Sequence, residues 1–422
     1  MKFASVRVGW FLALRSLKRS SRWATVLIIF IMTLTFLNLV VVSGLLVGLL
    51  SGSFRQFRES YSGEVLVTSA AGRNYIENSP ALISFLKSHP KVETLSARYS
   101  TSAQIFGSPA DLPEKNERQN RIGARLVGID PVAEESVTRF SRFVVFGEPL
   151  ESGDEGHVLI GANLLKKYSS FADANIPGLD FLDDVEVGSR VKISLTRENE
   201  VVSKDFIVKG IVKSKVDEIS TRVFITDKEL KKLLPVNKEQ VQEIAIRTDY
   251  EYATALVREL KDFMQGHAAR IQTTDEAIPS FLRDVETTFT ILGNALSSIA
   301  LVVASITIFI VIFINAITKR KFIGIMKGIG ISPSAIQLSY VFQALFYGAV
   351  GSAVGLLLTF GVLRPYFEAH PIDFPFSDGI LVATPLGALI RISILLCVTL
   401  VAGFVPARMI VRKNTLDSIL GR

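Results

Sequence analysis

Four runs of the chain stay apolar for more than twenty residues, and a long segment of mixed pattern separates the first run from the other three. Runs of this length predict membrane-spanning helices. The first is Trp23–Leu50. Its 28 residues rise about 42 Å as a helix, against a hydrocarbon core of roughly 30 Å, so the helix should tilt or continue past the bilayer. The stretch 51–60, SGSFRQFRES, is expected to form a short stalk. Ahead of the run, residues 1–22 place Phe3, Val6, Trp10, Leu14 and Leu17 on one stripe at helical spacing, among six cations and no acid. This predicts an amphipathic helix lying on a membrane surface. The later runs are 289–317, 336–363 and 385–407, and the stretch FLRDVETTF before the second reads as a returning stalk.

The intervening segment changes period. Strand-like runs appear at 64–69, 121–129, 190–196, 205–212 and 221–226, and helical patterns at 80–88, 161–168, 227–234 and 250–264. The polar, proline-bearing stretch 107–120 predicts a loop. Together these predict an α+β domain of about 220 residues with two lobes.

Charge then orients the spans. The net charge is +7, yet residues 51–283 hold 31 Lys+Arg against 34 Asp+Glu, so the positive excess lies entirely in the membrane-proximal segments. That distribution argues for membrane topology and against nucleic-acid binding. Residues 1–22, the 318–335 loop and the 408–422 tail together carry 14 cations and one acid, whereas 366–384 carries three acids and no Lys or Arg. Both termini and the 318–335 loop are therefore expected in the cytoplasm, with the 51–283 domain and the short 364–384 loop outside. A hydrophobic content of 49% with 21% charge and a mean hydropathy of +0.37 fits a chain split between lipid and water. The single cysteine, Cys397, falls in the last apolar run, so no disulfide forms within the chain. The four histidines are scattered without metal-ligand spacing.

Catalytic signatures are missing. The chain has no G-x-x-x-x-G-K-[ST], no H-E-x-x-H and no G-x-S-x-G. Acid pairs such as Glu134–Glu135 and Asp183–Asp184 read as solvated surface. Within the spans, Gly44 and Gly48, and Gly348, Gly351 and Gly355, have the spacing that lets helices approach closely, either within one chain or between subunits. Asn38, Asn294 and Asn315 are expected to hydrogen-bond between helices. Arg391 lies near the outer end of the last span, where snorkelling to headgroups competes with a functional role. The segment KRKFIGIMKGIG is the most unusual. Lys319, Arg320 and Lys321 would stop the second span, with Lys327 further on. Phe322, Ile323, Ile325, Met326 and Ile329 put apolar side chains where water is expected. Such residues fill an interface or a groove on another protein.

Several features then converge on one family. The stretch KRKFIGIMKGIGISPSAI is similar to the R-R-R-E-I-G-I-L-K-A-L-G-A-S pattern of the FtsX-like permeases of MacB and LolC/LolE type ABC transporters. AGFVPARMIVRKNTLDSIL is similar to that family's A-G-x-x-P-A-R ending, and HVLIGANLLKKY with VEVGSRVKISL and DFIVKGIV resembles its periplasmic core domain. Phe322 stands where the family has an acid, and Thr415 where its ending has a proline.

The resemblance implies an α-helical membrane protein of the bacterial inner membrane, with four transmembrane helices and a large extracytoplasmic α+β domain between helices 1 and 2. It implies a separate ABC ATPase subunit that binds ATP and Mg, a cofactor this chain would not hold itself. Only 22 residues precede the first span, whereas fused members carry the nucleotide domain there. Lys319–Ile329 would be the coupling helix on that ATPase. Further implied partners are a second permease, identical or related, and an extracytoplasmic adaptor. The implied activity is export or extraction of a lipoprotein, peptide or amphipathic substrate. The alternative is a non-transporting scaffold that transmits mechanical motion to an outer partner such as a cell-wall hydrolase. An ATPase-independent receptor would leave the cytoplasmic apolar segment unexplained.

Overall fold

The computed structural model describes residues 2–19, 21–107, 120–169, 172, 180–197, 200–234, 240–373, 378–379 and 381–412. Most of the expected 107–120 loop, and the tail beyond residue 412 with Thr415, lie outside the described residues. The chain divides into two units. One comprises Met1–Ser51, Phe281–Phe374 and Asp378–Arg422, and the other Gly52–Ser280. The first helix, α1, covers Lys2–Lys18, and α2 covers Arg22–Phe57. The expected stalk is therefore helical, because nothing in SGSFRQF forces the helix to stop. A π turn follows at Arg58–Ser62, closed by the Gly63 N–H donating to the Arg58 carbonyl at 2.9 Å. Gly63 has φ of 63° and lies so close to the Ile246 carbonyl that a Cβ would collide with it.

Among its described residues, the Gly52–Ser280 unit is built on ten strands. In chain order these elements are β1 (Val65–Ser69), α3 (Ser79–Ser88), β2 (Val92–Phe106), β3 (Arg121–Ile129), α4 (Pro131–Thr138), β4 (Val144–Gly147), β5 (His157–Gly161), β6 (Arg190–Arg197), β7 (Glu200–Val212), α5 (Asp217–Ser220), β8 (Arg222–Thr226), α6 (Asp227–Leu233), β9 (Glu243–Thr248), α7 (Ala253–Phe263), β10 (Ala269–Thr273) and α8 (Thr274–Ala277). The helix expected over 161–168 is only a 3-10 turn at Ala162–Leu164.

The strands form two lobes that share β2. In the first lobe the order β10-β1-β9-β2 is antiparallel throughout, with α3 and α7 as its two connecting helices. That is the split βαβ arrangement. Its core is Val65 and Val67 of β1 against Leu82 and Leu86 of α3 and Leu256, Val257 and Leu260 of α7. In the second lobe each strand pairs with the next around β2–β3–β8–β5–β7–β6 and back to β2, which closes a six-stranded barrel. Alternate residues fill its interior: Ile105, Leu126, Val158, Ile160, Val191, Ile193, Phe206, Val208, Val223 and Ile225. The barrel is inserted between β2 and β9 of the first lobe. β2 is shared because it is long. Val92–Arg98 pairs with β9, and Tyr99–Phe106 pairs with β3.

The chain continues through α9 (Ser280–Thr318), α10 (Arg320–Gly328), α11 (Pro333–Leu358), a π turn at Thr359–Leu363, α12 (Arg364–Ala369), the short pair β11 (Ile372–Asp373) and β12 (Asp378–Gly379), and α13 (Pro385–Val411). Met32, Phe36 and Val40 of α2, Ile308 and Ile312 of α9, Tyr340 and Tyr347 of α11, and Leu395 and Ala402 of α13 form one apolar core. Among the described residues four helical segments are long and apolar enough to cross a membrane: Arg22–Ser62, Ser280–Thr318, Pro333–Ala369 and Pro385–Val411.

Candidate functional site

The segment KRKFIGIMKGIG folds as a short helix held between two turns. Lys319 is the N-cap of α10. At the other end Gly330 has φ of 92°, a conformation that costs glycine little. Its N–H donates to the Lys327 carbonyl at 3.0 Å, and the Ile331 N–H donates to the Met326 carbonyl at 3.0 Å. This is a Schellman ending. Ser332 then caps α11, its Oγ accepting from the Ala335 N–H at 3.4 Å, with Pro333 as the first helical residue.

The apolar side chains of α10 divide between two faces. Ile323 is 1% exposed and belongs to the helical core, with Met326 packed at its edge. Phe322, Ile325 and Ile329 are 67%, 51% and 73% exposed. Their spacing of three and four residues puts them on one face. The outward face is thus narrower than the whole run Phe322–Ile329, because Ile323 anchors α10 to its own chain. The cations divide too. Lys319 Nζ donates to Ser16 Oγ of α1 at 2.7 Å, and Ser16 Oγ donates to Gln343 Oε1 of α11 at 3.4 Å. Lys321 is exposed, while Arg320 and Lys327 each have an interaction partner.

Helix α1 is seated on α11 through its small residues. A Cβ on Gly9 would lie 2.9 Å from Leu338 Cβ and 3.0 Å from the Ala335 carbonyl oxygen. Ala13 is buried, and Trp10 meets Phe342 edge to face at 5.4 Å. The larger residues Val6, Trp10, Phe11 and Leu14 stay outside. Val6 and Leu14 of the stripe read from the sequence thus face outward, Leu17 packs at the edge of the helical core, and the closest docking is through Gly9 and Ala13.

The span glycines mark close approaches within the chain. A Cβ on Gly351 would fall less than 3.0 Å from Met32 Cβ and 3.1 Å from both Met32 C and Thr33 N, the backbone of α2. Gly355 lies against Phe36 one turn on, and Gly348 against Leu396 and Thr399 of α13. Thr33 Oγ1 donates to the Gly351 carbonyl at 3.2 Å. Gly44 lies against Leu381 and Val382, while Gly48 is buried and accepts at its carbonyl from Ser51 Oγ at 3.2 Å. The sequence reading missed Gly403, where a Cβ would be 2.6 Å from Ala344 Cβ. The glycine of the AGFVPAR stretch is explained by that contact.

Arg391 Nε donates to the Leu39 carbonyl of α2 at 2.9 Å, which ties part of its guanidinium to the helical unit, and the side chain is half-buried. Asn38 Oδ1 is buried without a hydrogen-bond partner among the described residues, so the expected interhelical bond is not made through that atom.

The acid pair Glu134–Glu135 requires a correction. Glu134 is 2% exposed and is the partner of Arg98, itself 3% exposed. Arg98 Nε and Nη2 donate to the Glu134 carboxylate at 2.9 and 2.7 Å, and Nη2 also donates to the Tyr61 carbonyl at 2.7 Å. Arg98 Nη1 donates to Glu243, whose other oxygen accepts from the Tyr61 hydroxyl at 2.6 Å. Arg222 completes the group at 3.8 Å from Glu243, and both guanidinium groups lie over the Tyr61 ring. Ser96 and Thr138 donate to Glu134 at 2.7 and 2.9 Å. Burial alone would raise both carboxyl pKa values. Arg98 at both, with Arg222 and Tyr61 at Glu243 and Ser96 and Thr138 at Glu134, outweighs that and holds them below the usual carboxylate range. The sequence carries only a partial signal of this group: Arg222 and Glu243 head the apolar stretches RVFI and EIAI, whereas Arg98 and Glu134 stand among polar residues. On the far side of α4, Ile129, Val132, Glu135, Phe140 and Leu150 line a cavity of about 540 Å³.

With this geometry in view, comparison with known proteins assigns the C-terminal helical stretch. The family model described as FtsX-like permease C-terminal matches residues 294–415. The chain carries an FtsX-like permease domain. This stretch begins within α9 and takes in α10, α11 and α13, so the two-faced α10 and the close helix contacts of α11 are features of the FtsX-like part. The chain is also 26% identical over 234 residues to the ABC transporter permease YtrF of Bacillus subtilis, covering 51% of this chain and 52% of YtrF. It is 27% identical over 162 residues to the macrolide export ATP-binding/permease protein MacB of Agrobacterium fabrum, covering 38% of this chain and 22% of that protein. The chain thus spans about half the length of YtrF and about a fifth of this MacB. Among solved structures, the periplasmic region of MacB from Actinobacillus actinomycetemcomitans aligns with 55% of this chain and 95% of that one, at 13% identity and a TM-score of 0.35. The extracellular domain of YknZ, a noncanonic ABC-type transporter of Gram-positive bacteria, aligns with 50% and 99% at 13% identity and a TM-score of 0.32. Scores this low transfer no residue role.

Proposed function

We propose that this chain is the permease subunit of an ABC transporter. It couples ATP hydrolysis on a separate ATPase subunit to motion of its Gly52–Ser280 unit, and it serves export or extraction of a lipoprotein, peptide or amphipathic substrate. The observation that carries the reading is α10. Three large apolar side chains, Phe322, Ile325 and Ile329, share one outward face of a helix whose opposite face is anchored in the helical core. That is the form of a helix set into a groove on a partner. The match of residues 294–415 to the FtsX-like permease model and the similarity to YtrF and MacB support the choice of an ATPase as that partner.

In this reading both termini and α10 face the cytoplasm and the sheet unit lies outside, as the distribution of cations suggests. ATP and Mg are bound by the ATPase. A second permease and an outer adaptor are further proposed partners. Phe322, where the family has an acid, makes the docking contact apolar at that position.

Replacing Ile325 and Ile329 by Asp tests the reading. Co-purification with the cognate ATPase and stimulation of its hydrolysis should both be lost, while Ile325→Val with Ile329→Val should retain them. Full association and stimulation in the Asp variant would refute the docking role.

A further inference from the structure

The Gly52–Ser280 unit has two lobes, and the described chain crosses between them at β2 and at the entry to β9. Both crossings carry a charged residue of the buried cluster. Arg98 is the last residue of β2 paired with β9, and Tyr99 is the first paired with β3. Glu243 is the first residue of β9 and is the register partner of Arg98. The remaining members come from elements on either side. Glu134 belongs to α4, which follows β3 of the barrel, and Arg222 opens β8 of the barrel. Tyr61 belongs to the π turn that continues α2. Its carbonyl accepts from Arg98 and its hydroxyl donates to Glu243.

We propose that Tyr61, Arg98, Glu134, Arg222 and Glu243 form a fulcrum that fixes the two lobes to each other and to the Arg58–Ser62 turn, so that motion imposed at this turn reaches both lobes as one rigid body. The physical reason is that the two acids and Arg98 are buried and mutually bonded. Rotating one lobe against the other would separate them in a medium that offers no replacement partners. β2, continuous through both lobes, supplies the hinge line, and the cluster stops it from bending. Its members are positioning residues, and none is placed in contact with a substrate. The inference concerns rigidity within this unit and stands apart from the docking of α10, so the two can fail separately.

Spin-label distances in the full chain, reconstituted in nanodiscs and diluted with unlabelled protein, test it in a Cys397→Ser background. Lys87→Cys and Val201→Cys, both at exposed positions, report lobe against lobe. Arg55→Cys with Lys87→Cys reports the helix end against the first lobe. With the cluster intact both distance distributions should be narrow. Glu134→Gln should at least double the width of the lobe–lobe distribution while amide protection in the centres of β7 and β9 persists. Tyr61→Phe, which removes one hydroxyl and leaves every charge paired, should broaden the Arg55–Lys87 distribution and leave the lobe–lobe one narrow. A merely structural role would lower protection in both cores and move neither width selectively. If Glu134→Gln unfolds, Tyr61→Phe decides. In folded variants, a lobe–lobe distribution as narrow as wild type in Glu134→Gln, or an Arg55–Lys87 distribution as narrow as wild type in Tyr61→Phe, would overturn the proposal.

Discussion

Substituting Gly351 by Ala adds one methyl group where α11 approaches the backbone of α2. The added carbon would sit 3.1 Å from Met32 C and Thr33 N and nearer still to Met32 Cβ, whereas relaxed contacts of this kind lie at roughly 3.5–4.0 Å. Two of these three atoms are helix backbone, so no side-chain rotation relieves the overlap. The helices must part by about half an ångström or more. That stretches the bond from Thr33 Oγ1 to the Gly351 carbonyl, now 3.2 Å, to the edge of usefulness, and it loosens the Phe36–Gly355 contact one turn on. Overpacking of this kind costs about 1–3 kcal/mol, and an interhelical side-chain bond in a membrane contributes about 0.6 kcal/mol. The control is Gly361→Ala, where a Cβ meets nothing within 4 Å. Unfolding free energies from reversible SDS titration in mixed micelles should show Gly351→Ala destabilised by about 1–3 kcal/mol and Gly361→Ala unchanged or slightly stabilised. Equal stabilities for the two variants would refute the claim that α11 and α2 pack backbone to backbone at this glycine.

The remaining predictions concern the sheet unit and the topology. Glu134 and Glu243 are held below the usual carboxylate range in the folded chain, so their contribution to stability is complete above the unfolded-state pKa of about 4.3 and is lost as pH falls through the lower folded values. Amide exchange should therefore show protection of β2 and β9 level from pH 7 to about 5 and falling below about 4.3, with a shallower fall in Glu134→Gln. The same slope in wild type and variant would remove Glu134 from the account. For topology, thiols introduced at the exposed positions Lys87 and Lys321, in a Cys397→Ser background, should react with an impermeant reagent from opposite faces of the membrane. Labelling of both from one face would break the four-span arrangement.

The physical range of each signal explains which features are legible in the amino-acid sequence. Spans are local: a run of apolar residues must leave water wherever the rest of the chain goes, so all four are visible, and the fold differs only at their ends. α2 runs on to Phe57 because helical hydrogen bonds continue until a residue or a packing contact stops them, and here that stop is Gly63 against β9. Strands with clear apolar alternation, such as β6 with RVKISLT, are visible for the same local reason. β2, β4, β5, β9 and β10 are not: a short apolar run such as HVLIG of β5 reads equally well as buried helix, and a mixed stretch such as ARIQT of β10 carries too little alternation.

By itself the sequence determined four apolar spans, a separate α+β unit, the sign of charge flanking each span, and an apolar segment of unusual character at 319–330. Each of these depends on residues close together in the chain. Tertiary structure alone decided the direction of each side chain. It turned Ile323 inward and Phe322, Ile325 and Ile329 outward, and it docked α1 by Gly9 and Ala13. It closed six strands into a barrel, and it buried Glu134 with Arg98 while leaving Glu135 outside. A charge is cheap at the surface and costly inside unless paired, and the partners here are separated by tens of residues. Only the fold brings Tyr61, Arg98, Glu134, Arg222 and Glu243 within reach of one another.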